Sequence, residues 1–259
     1  MSTALARHWP EYAMEAAGLG LFMASAGLFG VLLYHPASPA VHAVADPFVR
    51  RVFMALAMGL TAIALIYSPW GQRSGAHFNP AVTLTFFRLG KVAGWDAVFY
   101  AMAQIGGGLS GILVVAALTG GRVAHPAVSY VATVPGAWGV PVAFAAEVLI
   151  SFGLMSVVLA VSNVARLARF TGFCAGALVA TWIILEAPLS GMSMNPARSL
   201  ASALPANLWT AFWIYLAAPP LGMLLAAELH VRLGRLPVLC AKLDHGGGQR
   251  CIFRCGYAS

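Results

Sequence analysis

The sequence predicts an all-α membrane protein: a bundle of six transmembrane helices with two re-entrant half-helices, arranged as an inverted internal repeat. Three observations carry this reading. Six runs of about twenty residues hold almost no charge. The tripeptide Asn79-Pro80-Ala81 returns as Asn195-Pro196-Ala197. A lone carboxylate, Glu15 or Glu147, stands at or inside an apolar run ahead of each copy.

The 259-residue chain is 60% hydrophobic and only 9% charged, whereas a soluble domain is nearer a quarter charged. Ala16–Tyr34, Val52–Trp70, Ala97–Gly120, Phe170–Leu185 and Leu208–Ala227 carry no Asp, Glu, Lys or Arg, and Val142–Val161 carries only Glu147. Each approaches the ~20 residues that a helix needs to cross a bilayer, the run from Phe170 needing its flanks to do so. Arg7, His8, Glu11 and Glu15 precede the first run without the pattern of a cleaved signal peptide, so that run reads as a retained span.

Lys and Arg set the expected orientation. With an internal amino terminus, Arg7, Arg73, Arg88, Lys91, Arg166, Arg169, Arg232, Arg235, Lys242, Arg250 and Arg254 fall on the cytoplasmic side, leaving Arg50, Arg51, Arg122 and Arg198 outside. The expected location is a bacterial inner membrane with both termini cytoplasmic. The net charge of +7 then reflects this asymmetry facing anionic lipid, and no basic patch on a soluble domain points to nucleic acid.

The halves are expected at 1–121 and 139–233, joined by a Pro/Gly-containing loop over 122–138 and followed by a tail over 234–259. An odd number of spans per half inverts one half relative to the other. Glu15 and Asn79 are 64 residues apart but Glu147 and Asn195 only 48, and His35–Asp46 can hold the excess. Gly107-xxx-Gly111 and Gly172-xxx-Gly176 are sites where helices can approach closely.

The stretches from Asn79 to about Phe87 and from Asn195 to about Leu204 are roughly 15 Å long as helices, half of the ~30 Å hydrocarbon core. Asn is a strong helix N-cap, and Pro suits the first helical position because it has no N–H to orphan. If each Asn oxygen caps its own half-helix, its NH₂ is left for the lumen. Two positive helix ends facing one point oppose cations, hydronium included. Glu15 and Glu147 suit a structural role, each accepting backbone N–H groups from a re-entrant loop. A proton relay is the alternative, for which isolated carboxylates without Lys, Arg or His partners are poorly suited.

At Ser74-Gly75-Ala76-His77-Phe78-Asn79-Pro80-Ala81-Val82-Thr83 and Met194-Asn195-Pro196-Ala197-Arg198-Ser199 the chain resembles the aquaporin (major intrinsic protein) family, bacterial-type, over about residues 11–232. The resemblance implies a homotetramer in a lipid bilayer. Each protomer would carry its own pore for passive flow of water or small neutral solutes, with no enzyme activity and no cofactor needed for conduction.

The family's outer constriction includes the Arg after the second Asn-Pro-Ala, here Arg198. Carried over by position, its other members are Met58 or Gly59, Ile183 and Met192. Water-selective relatives usually have Phe at the first site and His where Ile183 stands. An apolar gate with one cation is wider, and glycerol, hydrogen peroxide or undissociated metalloid acids become candidates beside water. Ser199, Ala203 and Phe212-Trp213 instead resemble the water branch. His77 lies where it lines the inner mouth and responds to pH, or holds loop backbone.

The tail carries Cys240, His245, Cys251 and Cys255, a possible Cys₃His set for zinc or another transition metal that Gly246–Gly248 would let fold round. A disordered basic tail and palmitoylated thiols are the alternatives. Two other functions share these features: a coupled secondary transporter built on inverted repeats, and a metal-regulated channel gated by the tail.

Overall fold

The computed structural model describes residues 1–234, 237–245 and 248–257; Arg235, Gly246 and Gly247 lie outside them. The first half contains α1 (Ser2–Tyr34), α2 (Pro39–Ala43), α3 (Pro47–Tyr67), α4 (Pro69–Ser74), α5 (Pro80–Arg88) and α6 (Gly94–Leu118). The second contains α7 (Gly139–Ser162), α8 (Thr171–Leu185), α9 (Ala187–Ser190), α10 (Pro196–Ala206) and α11 (Trp213–Leu233). Among the described residues six helices are long and apolar enough to cross a membrane: α1, α3, α6, α7, α11, and α8 together with the turn before it.

The two halves pack alike. Helix α1 lies along α6 as α7 lies along α11, α3 crosses to α8, and each half-helix leans on the opposite half, α5 on α11 and α10 on α6. Backbone approach holds these crossings, as expected where lipid offers no hydrophobic drive between helices. A Cβ on Gly107 would lie 2.0 Å from the Ala16 carbonyl oxygen, and one on Gly111 would lie 2.0 Å from that of Gly20. At the α3–α8 crossing, a Cβ on Gly59 would lie 2.8 Å from the Gly176 oxygen.

Several span boundaries lie a few residues from expectation, and two of the shifts have a visible cause. Helix α1 runs back to Ser2 because its polar first turns are anchored: buried Glu11 accepts from Arg73 Nε at 2.9 Å, and Tyr12 and His8 both bond Asp96 on α6. The last span starts at Trp213 rather than Leu208, since Asn207 ends α10 in the left-handed conformation and Ala211 is also left-handed. The longer first connection, His35–Asp46, holds α2.

Candidate functional site

Each re-entrant segment descends through a short helix, turns at a left-handed glycine, and re-emerges as a half-helix. Ser74 and Ser190 end the descents, Gly75 (φ 98°) and Gly191 (φ 84°) make the turns, and Asn79 and Asn195 cap the returns. Asn79 Oδ1 accepts from Ala81 N at 2.8 Å. Asn195 Oδ1 accepts from Ala197 N at 3.1 Å and Arg198 N at 3.2 Å.

Both loops hold non-glycine residues in the left-handed region: Ala76 and Phe78 in one, Met192 and Met194 in the other. Such residues cost of order 1–3 kcal/mol each and persist where surrounding contacts over-determine them. Here the buried carboxylates supply those contacts. Glu15 accepts from Ser74 Oγ (2.7 Å), His77 N (3.1 Å), Phe78 N (2.6 Å) and Gln104 Nε2 (2.7 Å). Glu147 accepts from Ser190 Oγ (2.7 Å), Ser193 N (2.6 Å) and Met194 N (2.8 Å). Both carboxylates are fully buried and bonded by the re-entrant segments, Glu15 by Gln104 of α6 as well.

Sequence reasoning leaves out the residues that complete this pattern. Tyr100 and Tyr215 each donate their hydroxyl to the carbonyl of the loop serine, Ser74 or Ser190, at 2.6 Å. The signal for the serines is the Ser-Gly pair recurring ahead of each Asn-Pro-Ala. For Gln104 it is a lone amide in an otherwise uncharged run.

The two Asn amides depart from expectation. Asn79 Nδ2 donates to Met194 O, and Asn195 Nδ2 to Phe78 O, each at 2.7 Å. A primary amide has two N–H donors. One therefore ties the loops together, and only the other is left for the lumen.

A cavity of about 400 Å³ passes this junction. Arg51 and Val131 line one end, His77 and Leu243 the other, and Asn79 and Asn195 lie between. Met58, Ile183, Met192 and Arg198 all line it. Gly59 does not, because it is spent on the α3–α8 crossing; one residue along a helix turns the side chain about 100° away. Arg198 Nη1 is buried with no protein partner among the described residues. Ser199 is turned from the cavity lining toward Thr133 Oγ1 (2.7 Å) and Ser193 Oγ (2.6 Å), and so ties the inter-half loop to the second re-entrant segment.

His77 is buried, with both ring nitrogens engaged. Nε2 lies 2.8 Å from Ala241 O and Nδ1 3.0 Å from Thr83 Oγ1, and the ring stacks between Phe86 and Phe253. A carbonyl only accepts, so Nε2 carries the proton.

Ala241 belongs to the tail, which is packed against the protein rather than hanging free. Residues 240–244 and Phe253 are buried, Leu243 N donates to Gly75 O at 3.1 Å, and Gln72 Nε2 donates to Asp244 Oδ2 at 2.9 Å. The tail brings the ligand atoms of Cys240, His245, Cys251 and Cys255 within 4.8 Å of one another. The hydrogen bond from Cys240 lowers the Cys251 thiol to about 5, and the same contact raises Cys240.

A model of the major intrinsic protein family matches residues 11–230. The chain is 38% identical over 202 residues to Aquaporin NIP6-1 of Arabidopsis thaliana, covering 77% of this chain and 62% of that protein. It is 36% identical over 170 residues to Aquaporin NIP1-3 of Oryza sativa subsp. japonica, covering 65% and 57%. Across the eight curated relatives compared, the chain spans 57% to 66% of their length. Its fold is similar to the X-ray structure of the aquaglyceroporin from Plasmodium falciparum, with TM-score 0.73 and 20% identity, covering 88% of this chain and 97% of that one.

Proposed function

The chain belongs to the major intrinsic protein family, and on that premise we propose that it is a passive transmembrane channel for water and small neutral solutes. One observation carries the reading: the two half-helix N-termini meet at their Asn caps on the wall of a single cavity. Each terminus is equivalent to about half a positive charge, so their meeting point repels cations while the free amide N–H groups donate to the oxygen of water or of a hydroxyl solute. Glu15 and Glu147 act as loop supports, because every donor around them belongs to the re-entrant segments or to Gln104.

In this reading Met58, Ile183, Met192 and Arg198 form the selectivity filter. Three apolar walls and one fixed cation favour solutes beyond water, with glycerol, hydrogen peroxide and undissociated metalloid acids the classes to test. The names of the aligned plant aquaporins and of the aquaglyceroporin of like fold support the water and glycerol parts. The protein is a homotetramer with one pore per protomer and no catalytic role. Both termini face the cytoplasm, as the Lys/Arg bias supports, and the membrane concerned is the bacterial inner membrane. A coupled transporter is disfavoured because Glu15 and Glu147, the carboxylates beside the two half-helices, are both taken up by loop donors.

The test is stopped-flow swelling of liposomes holding the full chain, with water, glycerol and boric acid gradients in separate runs, each with and without a metal chelator. Water flux well above protein-free lipid is expected. Flux equal to bare lipid in every condition overturns the channel reading.

A further inference from the structure

The tail lies beyond residues 11–230, the span matched to the family, yet its cysteines and histidine converge, its Leu243 lines the cavity and its backbone bonds the re-entrant segment at Gly75. We propose that Cys240, His245, Cys251 and Cys255 bind one zinc ion, and that this ion staples the segment 241–244 across the tail-side mouth of the pore. The regulatory half of this proposal rests on the channel reading above; the binding half does not.

The four ligand atoms lie within small side-chain shifts of a tetrahedral set. Zinc with thiolate ligands at about 2.3 Å and imidazole at about 2.0–2.1 Å requires ligand-to-ligand edges of about 3.5–3.8 Å. Cys240 Sγ and Cys251 Sγ are 3.5 Å apart, His245 Nε2 and Cys255 Sγ 3.0 Å, and no pair exceeds 4.8 Å. All three cysteines are free thiols. Three soft thiolates and an imidazole select zinc over hard cations such as magnesium or calcium. Zn²⁺ with three thiolates leaves one net negative charge, and Lys242 stands two residues from the first ligand.

The polar groups around the cluster are also arranged. Lys242 Nζ donates to the carbonyls of Gln249 (3.0 Å) and Arg250 (2.8 Å), closing the loop between the second and third ligands. Tyr257 stacks on His245 at 4.6 Å and bonds the Ser162 carbonyl at the end of α7, which orients the imidazole. Leu239 N donates to Asn163 Oδ1 at 2.6 Å, and Arg254 N to Lys91 O at 3.0 Å, so both ends of the loop are moored to the bundle.

The connection to the pore is direct. Cys240 and His245 are the first two ligands, and the residues between them are those that touch the re-entrant segment. Ala241 accepts from His77, Leu243 bonds Gly75 and lines the cavity, and Asp244 accepts from Gln72. Phe253, between the last two ligands, covers His77. A bound ion ties these contacts into one closed loop. Removing the ion frees the segment and widens the mouth.

The test uses the full chain, purified without added metal and then loaded with zinc and dialysed. About one equivalent of zinc per chain is expected by elemental analysis, and Co²⁺ loading should give the d–d absorption of a tetrahedral thiolate site. Cys251→Ser, and separately Cys255→Ser at the exposed rim, should retain under a tenth of an equivalent while keeping the helical circular dichroism of the parent. Chelation should raise water flux in the parent several-fold and leave the two variants, already open, unchanged. Less than a tenth of an equivalent in the well-folded parent overturns the site, and a stoichiometric metal other than zinc overturns the zinc assignment. Bound zinc with flux indifferent to chelation overturns the gate and leaves the site. Bound zinc with no flux in any condition upholds the site and counts against the channel reading instead.

Discussion

Asn79 and Asn195 lock each other's loop: each donates its amide, at 2.7 Å, to the carbonyl just before the other. The pair is reciprocal, as the inverted repeat requires, so a change at one residue is felt by both half-helices. Asn79→Asp keeps the size and the cap oxygen but removes the donor and sets a carboxylate against Met194 O. A buried carbonyl left without its donor costs about 1–3 kcal/mol, with the added charge making it worse. The expected result is a lower unfolding temperature in detergent and a several-fold loss of water flux. An unchanged midpoint would show that the cross-bond contributes nothing.

Gly107 and Gly106 are neighbours with opposite demands. A Cβ on Gly107 would meet the Ala16 carbonyl at 2.0 Å, whereas one on Gly106 has nothing within 4 Å. Gly107→Ala must push α1 and α6 apart, at a cost of about 1–3 kcal/mol or more. Gly106→Ala should be neutral or stabilising by up to about 1 kcal/mol, since alanine is the better helix former. Thermal denaturation of the two variants side by side checks this; equal midpoints would mean that the close approach does not limit the fold.

The parts of this architecture that the sequence reveals are those set by local physics. Lipid forbids charge over a span, so the six helices stand out as uncharged runs, and half-helix caps follow from what Asn and Pro do at a helix start. The parts it hides depend on rotation and distance. Met58 and Gly59 are adjacent, and only the crossing with Gly176 decides which of them faces the cavity. The second proton of each Asn amide finds its carbonyl 115 or 117 residues away. The tail carries no helical period, and its burial comes from bonds to Gly75, His77 and Asn163, which no tail residue announces.

Glu147→Gln tests the loop supports. The carboxylate accepts from Ser190 Oγ, Ser193 N and Met194 N, whereas an amide offers one oxygen and turns an NH₂ toward the remaining donors. Hydrogen bonds to a charged acceptor contribute about 1.5–3 kcal/mol each, and the loop's left-handed residues lose the contacts that hold them. The expected outcome is a large drop in folded yield and in unfolding temperature. Glu15→Gln should do the same in the first half, where four donors converge. Full folding of both variants with flux lost only for protons would instead favour a relay.

Ile183→His tests the filter. Ile183 lines the cavity with Met192 and Arg198, and its side chain can neither donate nor accept a hydrogen bond. An imidazole there narrows the passage and adds a polar partner for water, while a glycerol molecule loses apolar wall and room. Selectivity set by diameter and lining polarity should shift accordingly. The ratio of glycerol to water flux is expected to fall by about tenfold, equivalent to about 1.4 kcal/mol of barrier difference. The fold should be unaffected, because residue 183 faces the lumen rather than a helix crossing. Paired stopped-flow runs on parent and variant, at equal protein per liposome, give the ratio directly. If it stays constant while both fluxes remain high, the constriction lies elsewhere along the cavity and the four-residue filter is wrong.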